Sequence, residues 1–113
     1  MSIQFILFII INDIKYFNRV KLKLKEIGVA GYTVIDTMGS TNLYNCGTRY
    51  SNYVSGVMNE NRMYNKTIFL ALPSEEEAVR IMDEVEEIIY YDYNKPGKGV
   101  MFTIPVYKSH GIV

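Results

Sequence analysis

Ile3-Gln4-Phe5-Ile6-Leu7-Phe8-Ile9-Ile10-Ile11 admits two readings that exclude one another: the head of a membrane or export segment, or a strand buried on both faces. An export signal carries a basic stretch before its apolar run and a small-residue cleavage site after it, and this run has neither. A membrane helix needs about 20 apolar residues, roughly twice what is supplied before the polar stop at Asn12-Asp13. The β-branched and aromatic content instead predicts a strand. A strand apolar on both sides is stable only when other elements cover it, so the rest of the chain is read for its cover.

Immediately after the stop, Ile14, Phe17, Val20, Leu24 and Ile27 recur at intervals of three and four, with Lys15, Arg19, Lys21, Lys23 and Lys25 on other faces. This spacing predicts an amphipathic helix over residues 13–27, capped by Asn12 or Asp13 and ended at Gly28. Tyr32-Thr33-Val34-Ile35-Asp36-Thr37-Met38 is β-branched and reads as a second strand ending at Gly39. A third, apolar on both faces, is expected at Thr67-Ile68-Phe69-Leu70-Ala71-Leu72. Pro73-Ser74-Glu75-Glu76-Glu77 then announces a helix, because Ser74 and Glu77 have capping-box spacing and the acidic first turn suits the helix dipole. Ala78, Ile81, Met82, Val85, Ile88 and Ile89 form its apolar face, and it should end near Tyr90 or Tyr91. After the turn-forming stretch Asp92-Tyr93-Asn94-Lys95-Pro96-Gly97-Lys98-Gly99, a last strand is expected over residues 100–107, where Pro105 argues for a sheet edge.

The order strand, helix, strand, strand, helix, strand predicts one α+β domain spanning residues 1–113. Its fold is the ferredoxin-like βαββαβ sandwich, with a four-stranded antiparallel sheet and two helices on one face. The first and third strands lie centrally in that topology, and they are the two that look apolar on both faces. Two helices cover only one side, so the opposite face is expected to meet another copy of the chain.

Composition removes several functions. Twelve basic and twelve acidic side chains give zero net charge, with no basic block to track a nucleic-acid backbone. One Cys builds neither a disulfide framework nor a Cys-based zinc site, which points to a reducing, cytoplasmic compartment. Cys46 and His110 are the sole members of their types, and no nucleophile, acid/base pair or metal cluster converges in the sequence, so no enzyme is expected. Glu84, Glu86 and Glu87 read as a solvated helix face with basic helix one as complement. Two segments keep a functional reading. Gly97-Lys98-Gly99 could turn backbone N–H groups toward a phosphate, with Lys95 and Lys98 beside it, although a lone GxG before a strand is more often a plain turn. Residues 39–65 hold six Asn, four Tyr and three Gly without steady periodicity. Loops of such length in small domains are functional or disordered, and Tyr44, Arg49, Tyr50, Tyr53 and Arg62 are residue types enriched at interface hot spots.

Gly28-Val29-Ala30-Gly31-Tyr32-Thr33-Val34-Ile35-Asp36-Thr37-Met38-Gly39 resembles the segment of PII nitrogen-regulatory signalling proteins that reads G-[IV]-x-G-M-T-V-x-E-V-x-G. The register holds without gaps back to the first strand. Ile68 through Pro73 is similar to the family's third strand, and Gly97-Lys98-Gly99-Val100-Met101-Phe102 matches its G-D-G-K-I-F turn in part. The resemblance implies a homotrimer with adenine nucleotides bound in clefts between subunits. It also implies a long loop, the T-loop, that docks onto a membrane transporter or metabolic enzyme without insertion into the membrane. Carried over by residue, the cleft would take Ile11, Thr33, Gly39, Ala71, Gly97 and Gly99, to which the turn's own reading adds Lys98 as a cation two positions before the family's Lys, with no metal and no covalent cofactor. Thr41-Asn42-Leu43-Tyr44 and Thr48-Arg49-Tyr50 are similar to the family's T-E-L-Y and A-E-Y, the latter containing a Tyr that some members have modified.

The departures fall on cations. Where the family has a phosphate-contacting Lys after the second Gly of the turn this chain has Val100, and Lys108-Ser109-His110-Gly111-Ile112-Val113 carries no counterpart of the family's paired Arg. At roughly 1.5 to 3 kcal/mol for each charge-assisted contact, triphosphate binding is expected to weaken, which opens the ligand to ADP, AMP, a cyclic dinucleotide or another small metabolite as well as ATP. The rival expectation is a CutA-like trimer, a related architecture associated with divalent cations, against which stand the single His and single Cys.

Overall fold

A computed structural model describes residues 3–39, 63–89 and 99–111. Six elements follow in the expected order: β1 (Phe5–Ile11), α1 (Ile14–Glu26), β2 (Thr33–Gly39), β3 (Met63–Leu72), α2 (Glu75–Ile89) and β4 (Gly99–Pro105). They form one antiparallel sheet in the order β2-β3-β1-β4, with the two doubly apolar strands at its centre and Pro105 on an edge strand.

Helix boundaries follow from local chemistry. The Asp13 carboxylate accepts from the Lys15 backbone N–H at 2.8 Å, which fixes the start of α1. At its other end Val29 N–H donates to Leu24 O at 2.9 Å around Gly28, whose φ of 87° is the left-handed conformation that suits glycine. The Ser74 hydroxyl accepts from Glu77 N–H at 3.2 Å and starts α2. The Glu77 carboxylate turns outward to Arg80, which also reaches Ile27 O at 3.5 Å and so links α2 to the end of α1. The expected charge complement of the helices is realised by Lys23, 3.8 Å from Glu84.

The core lies between the helices and one face of the sheet. Leu7, Ile9, Ile11, Ile68, Leu70 and Leu72 pack there against Phe17, Val20 and Leu24 of α1 and Ala78, Ile81, Val85, Ile88 and Ile89 of α2. On the opposite face, Phe8 stacks on Phe102 with ring centroids 5.2 Å apart and lies tilted against Phe69 at 5.8 Å. Ile35, Phe102 and Ile104 on that side are 41–45% exposed.

Most boundaries move by one or two residues, and two of the differences have a physical reason in the sheet. β3 starts at Met63 rather than Thr67, so the loop expected over residues 39–65 gives its last three residues to the sheet. Tyr64-Asn65-Lys66 lack an apolar alternation, and cross-strand partners hold them instead: Met38 opposite Tyr64, Thr37 opposite Asn65, Asp36 opposite Lys66. β4 stops at Pro105 rather than Tyr107, because its partner β1 begins at Phe5. Beyond it the pairing ends with Val106 N–H donating to Gln4 O at 2.8 Å. The expected end of α2 at Tyr90 or Tyr91 lies outside the described residues.

Candidate functional site

One end of the sheet gathers the chemistry. Ile11 and Gly99 are direct partners there, in the terminal rung of the β1–β4 ladder. Gly99 is required by close approach: a Cβ at this position would stand 2.9 Å from Ile10 O and 3.2 Å from Ile89 Cδ1. The turn that ends at Gly99 is thereby delivered against the last residues of β1. Ile11 is 1% exposed with its side chain in the core, so only its backbone can face a ligand.

Beside this rung lies an open hollow of about 400 Å³. Asn12, Asp13 and Ile14 contribute from the start of α1, Asp36 and Thr37 from β2, and Tyr64, Asn65 and Lys66 from β3. Its charged groups are already engaged. Lys66 is paired with Asp36, and Asp13 caps α1. On the open face of the same strands the Thr37 hydroxyl donates to the Asn65 side-chain oxygen and lies 2.7 Å from the Thr67 hydroxyl. A hydroxyl has one proton, so Thr67 donates to Thr37. Thr67 is the buried polar residue of the described set, at 6% exposure, and this bond satisfies it.

The residues carried over for a cleft are divided by this geometry. Thr33 pairs with Phe69 and Ala71 with Ile6, both exposed and on the open face, toward the far end of the sheet. Gly39 pairs with Met63, eight residues along β3 from Ala71, or about 27 Å at a strand rise of about 3.4 Å. One small ligand therefore cannot touch Gly39 and Ala71 of the same copy. Gly97 and Lys98 of the turn, and Tyr44, Arg49, Tyr50, Tyr53 and Arg62 of the loop, lie outside the described residues, as do Lys95 and Cys46. His110 is exposed in the tail. Sequence reasoning missed the Asp36–Lys66 pair and the Thr37–Asn65–Thr67 cluster. For the cluster the local signal was slight, Asn65 and Thr67 two residues apart in β3 and Thr33 and Thr37 four apart in β2, each pair on one face of its strand, and nothing local marks the Asp36–Lys66 pair.

Among the described residues, no group of three His, Cys, Asp or Glu side chains converges to hold a metal, and no helix is long and apolar enough to cross a membrane. The fold and this sheet end define a small ferredoxin-like α+β domain with one face that no described element covers. A family model described as "Nitrogen regulatory protein P-II" matches residues 6–112, and the chain belongs to that family. The proteins of this family are non-enzymatic regulators. Among solved structures the chain is similar to Arabidopsis thaliana PII, solved bound to citrate, at 17% identity and a TM-score of 0.62 over 93% of this chain and 78% of that one. A search of the curated proteins finds no match.

Proposed function

We propose that this chain is a cytoplasmic PII-like regulator. It assembles as a homotrimer through the open sheet face, binds a small effector, an adenine nucleotide foremost, in the clefts between subunits, and controls a partner protein through the loop joining β2 and β3. The observation that carries the reading is the uncovered aromatic row Phe69–Phe8–Phe102, flanked by Ile35 and Ile104, in a member of the P-II family. An apolar surface of that kind marks an association site. The distance between Gly39 and Ala71 supports the rest, since a cleft that uses both requires two copies.

The effector is expected to carry fewer phosphates than ATP, or to carry them where Lys98 reaches. Val100, which stands where the family has a phosphate Lys, faces Ile10 across the ladder. The ligand regulates by population shift: it binds one arrangement of the β2–β3 loop more tightly than the others, and the partner protein reads that arrangement. The docked partner is a membrane transporter or a metabolic enzyme. Titration calorimetry against ATP, ADP, AMP and cyclic dinucleotides, with native mass spectrometry for stoichiometry, tests both halves. A trimeric mass with heat from at least one of these ligands is expected. A monomeric mass overturns the assembly, and silence across the panel overturns the effector class.

A further inference from the structure

The outward stripes of the two helices carry opposite charge. Along α1, Lys15, Arg19, Leu22 and Lys25 are exposed, and along α2, Glu76, Val79, Asp83 and Glu86 are. Leu22 and Val79, 59% and 49% exposed, place one apolar side chain within each stripe. The ion pairs of the helices lie elsewhere, Lys23 with Glu26 and Glu84, and Arg80 with Glu77. Among the described residues none of the six stripe charges has an ion-pair partner. The chain's zero net charge adds no long-range repulsion between copies.

We propose that α2 of one copy docks α1 of a second copy in antiparallel orientation, with Leu22 against Val79. In that register Lys25, three residues after Leu22, faces Glu76, three before Val79. Lys15, seven before, faces Glu86, seven after, and Arg19 falls beside Asp83. Both stripes then span ten residue steps, about 15 Å at about 1.5 Å per residue. A parallel alignment fails, because Lys15 would lie beyond the start of α2 at Glu75. An open hollow of about 340 Å³ beside Val79, walled by Met82 and Met101 and rimmed by Asp83 and Glu86, receives the Leu22 side chain. The contact is heterologous, one patch against a different one, so each copy both gives α1 and receives on α2. It uses the helical layer and is independent of the open sheet face.

Sedimentation velocity of the full chain at about 20 mM and about 500 mM NaCl, where the screening length falls several-fold, tests it. Association that weakens at least tenfold at the higher salt is expected. Leu22→Glu and Val79→Lys should each weaken low-salt association about tenfold, with unchanged circular dichroism because both positions are exposed, and combining them should restore it to within about threefold. Contact through the open face is apolar and persists at high salt, and Phe102→Glu should remove that contact while leaving the salt-sensitive one. Equal association at both salts, single variants indistinguishable from the parent, or a combined variant no better than the singles each overturns the proposal.

Discussion

Along β1, Leu7, Ile9 and Ile11 are at most 1% exposed, whereas Ile6, Phe8 and Ile10 between them stay half-buried. The same alternation runs through β3, where Ile68, Leu70 and Leu72 are buried while Phe69 is half-buried and Ala71 exposed. The difference is cover: α1 and α2 seal one face, and no described element seals the other. Apolar residues on the helix side of one strand therefore serve folding of the chain, and those on the open side would serve the proposed association. Substitutions on adjacent rungs of the β1–β4 ladder should separate them. Ile9→Ala leaves a cavity in the sealed core and should cost about 2–5 kcal/mol of unfolding free energy in a denaturant titration. Phe102→Glu on the open face should keep the far-ultraviolet circular dichroism of the parent and lower its sedimentation coefficient. If both instead unfold the chain equally, the two faces are not energetically distinct.

Gly99 tests where the faces meet at the end of the sheet that holds the candidate cleft. A methyl at this position would press on the backbone O of Ile10, which cannot swing away, and on the Cδ1 end of Ile89, which is packed in the core at 1% exposure, so Gly99→Ala should cost about 1–3 kcal/mol. Urea unfolding reads the loss, and a neutral result would show that β4 can move away from β1 at its first rung. The cost would fall on the core although the position belongs to the candidate cleft, because this glycine is shared by the two.

The fold was legible in the sequence because its signals were local and mutually consistent. Apolar period, capping residues and Gly28 gave α1; Ser74 gave the start of α2; doubly apolar composition gave the central strands. The first four residues of β3 were not legible, since Met63 through Lys66 are held by partners about thirty positions away, such as Thr37 for Asn65 and Asp36 for Lys66. The site was legible only as far as backbone placement carries it. Ile11 and Gly99 do meet, but the sequence alone could not show that Ile11 turns its side chain into the core, or that Gly39 and Ala71 stand about 27 Å apart. Those facts come from strand register, which the turn and loop residues do not encode.

The Thr37–Asn65–Thr67 cluster is a polar, hydrogen-bonded patch on the open face and gives a finer probe of the same comparison. Thr37→Val keeps the shape and removes the central hydroxyl, leaving Thr67 without its acceptor at 6% exposure, for an expected loss of about 1–2 kcal/mol. Adding Thr67→Val should recover most of that loss by removing the stranded partner. If the single variant is neutral, water replaces the lost partner and this part of the face is not closed.

The smallest effect belongs to the solvent side of the helical layer, where neither face of the sheet is involved. The hydrogen bond from Arg80 holds the Glu77 carboxyl below its ordinary value near 4.5; desolvation opposes the shift and the Arg80 charge reinforces it. In the unfolded chain this partner is absent, so between the folded and ordinary values the unfolded state binds more protons and stability rises with pH. The contribution is complete above the ordinary glutamate value and is lost as pH falls through the lowered one. Glu77→Gln should therefore flatten the acid limb of a stability–pH profile in that window only, while the Ser74 cap, which uses the Glu77 backbone N–H, remains. Both side chains are more than a third exposed, so salt should shrink the difference further. An acid limb identical in parent and variant would assign the Arg80–Glu77 contact no part in folding and leave Arg80 its bond to Ile27 O, which with Lys23–Glu84 ties the helices.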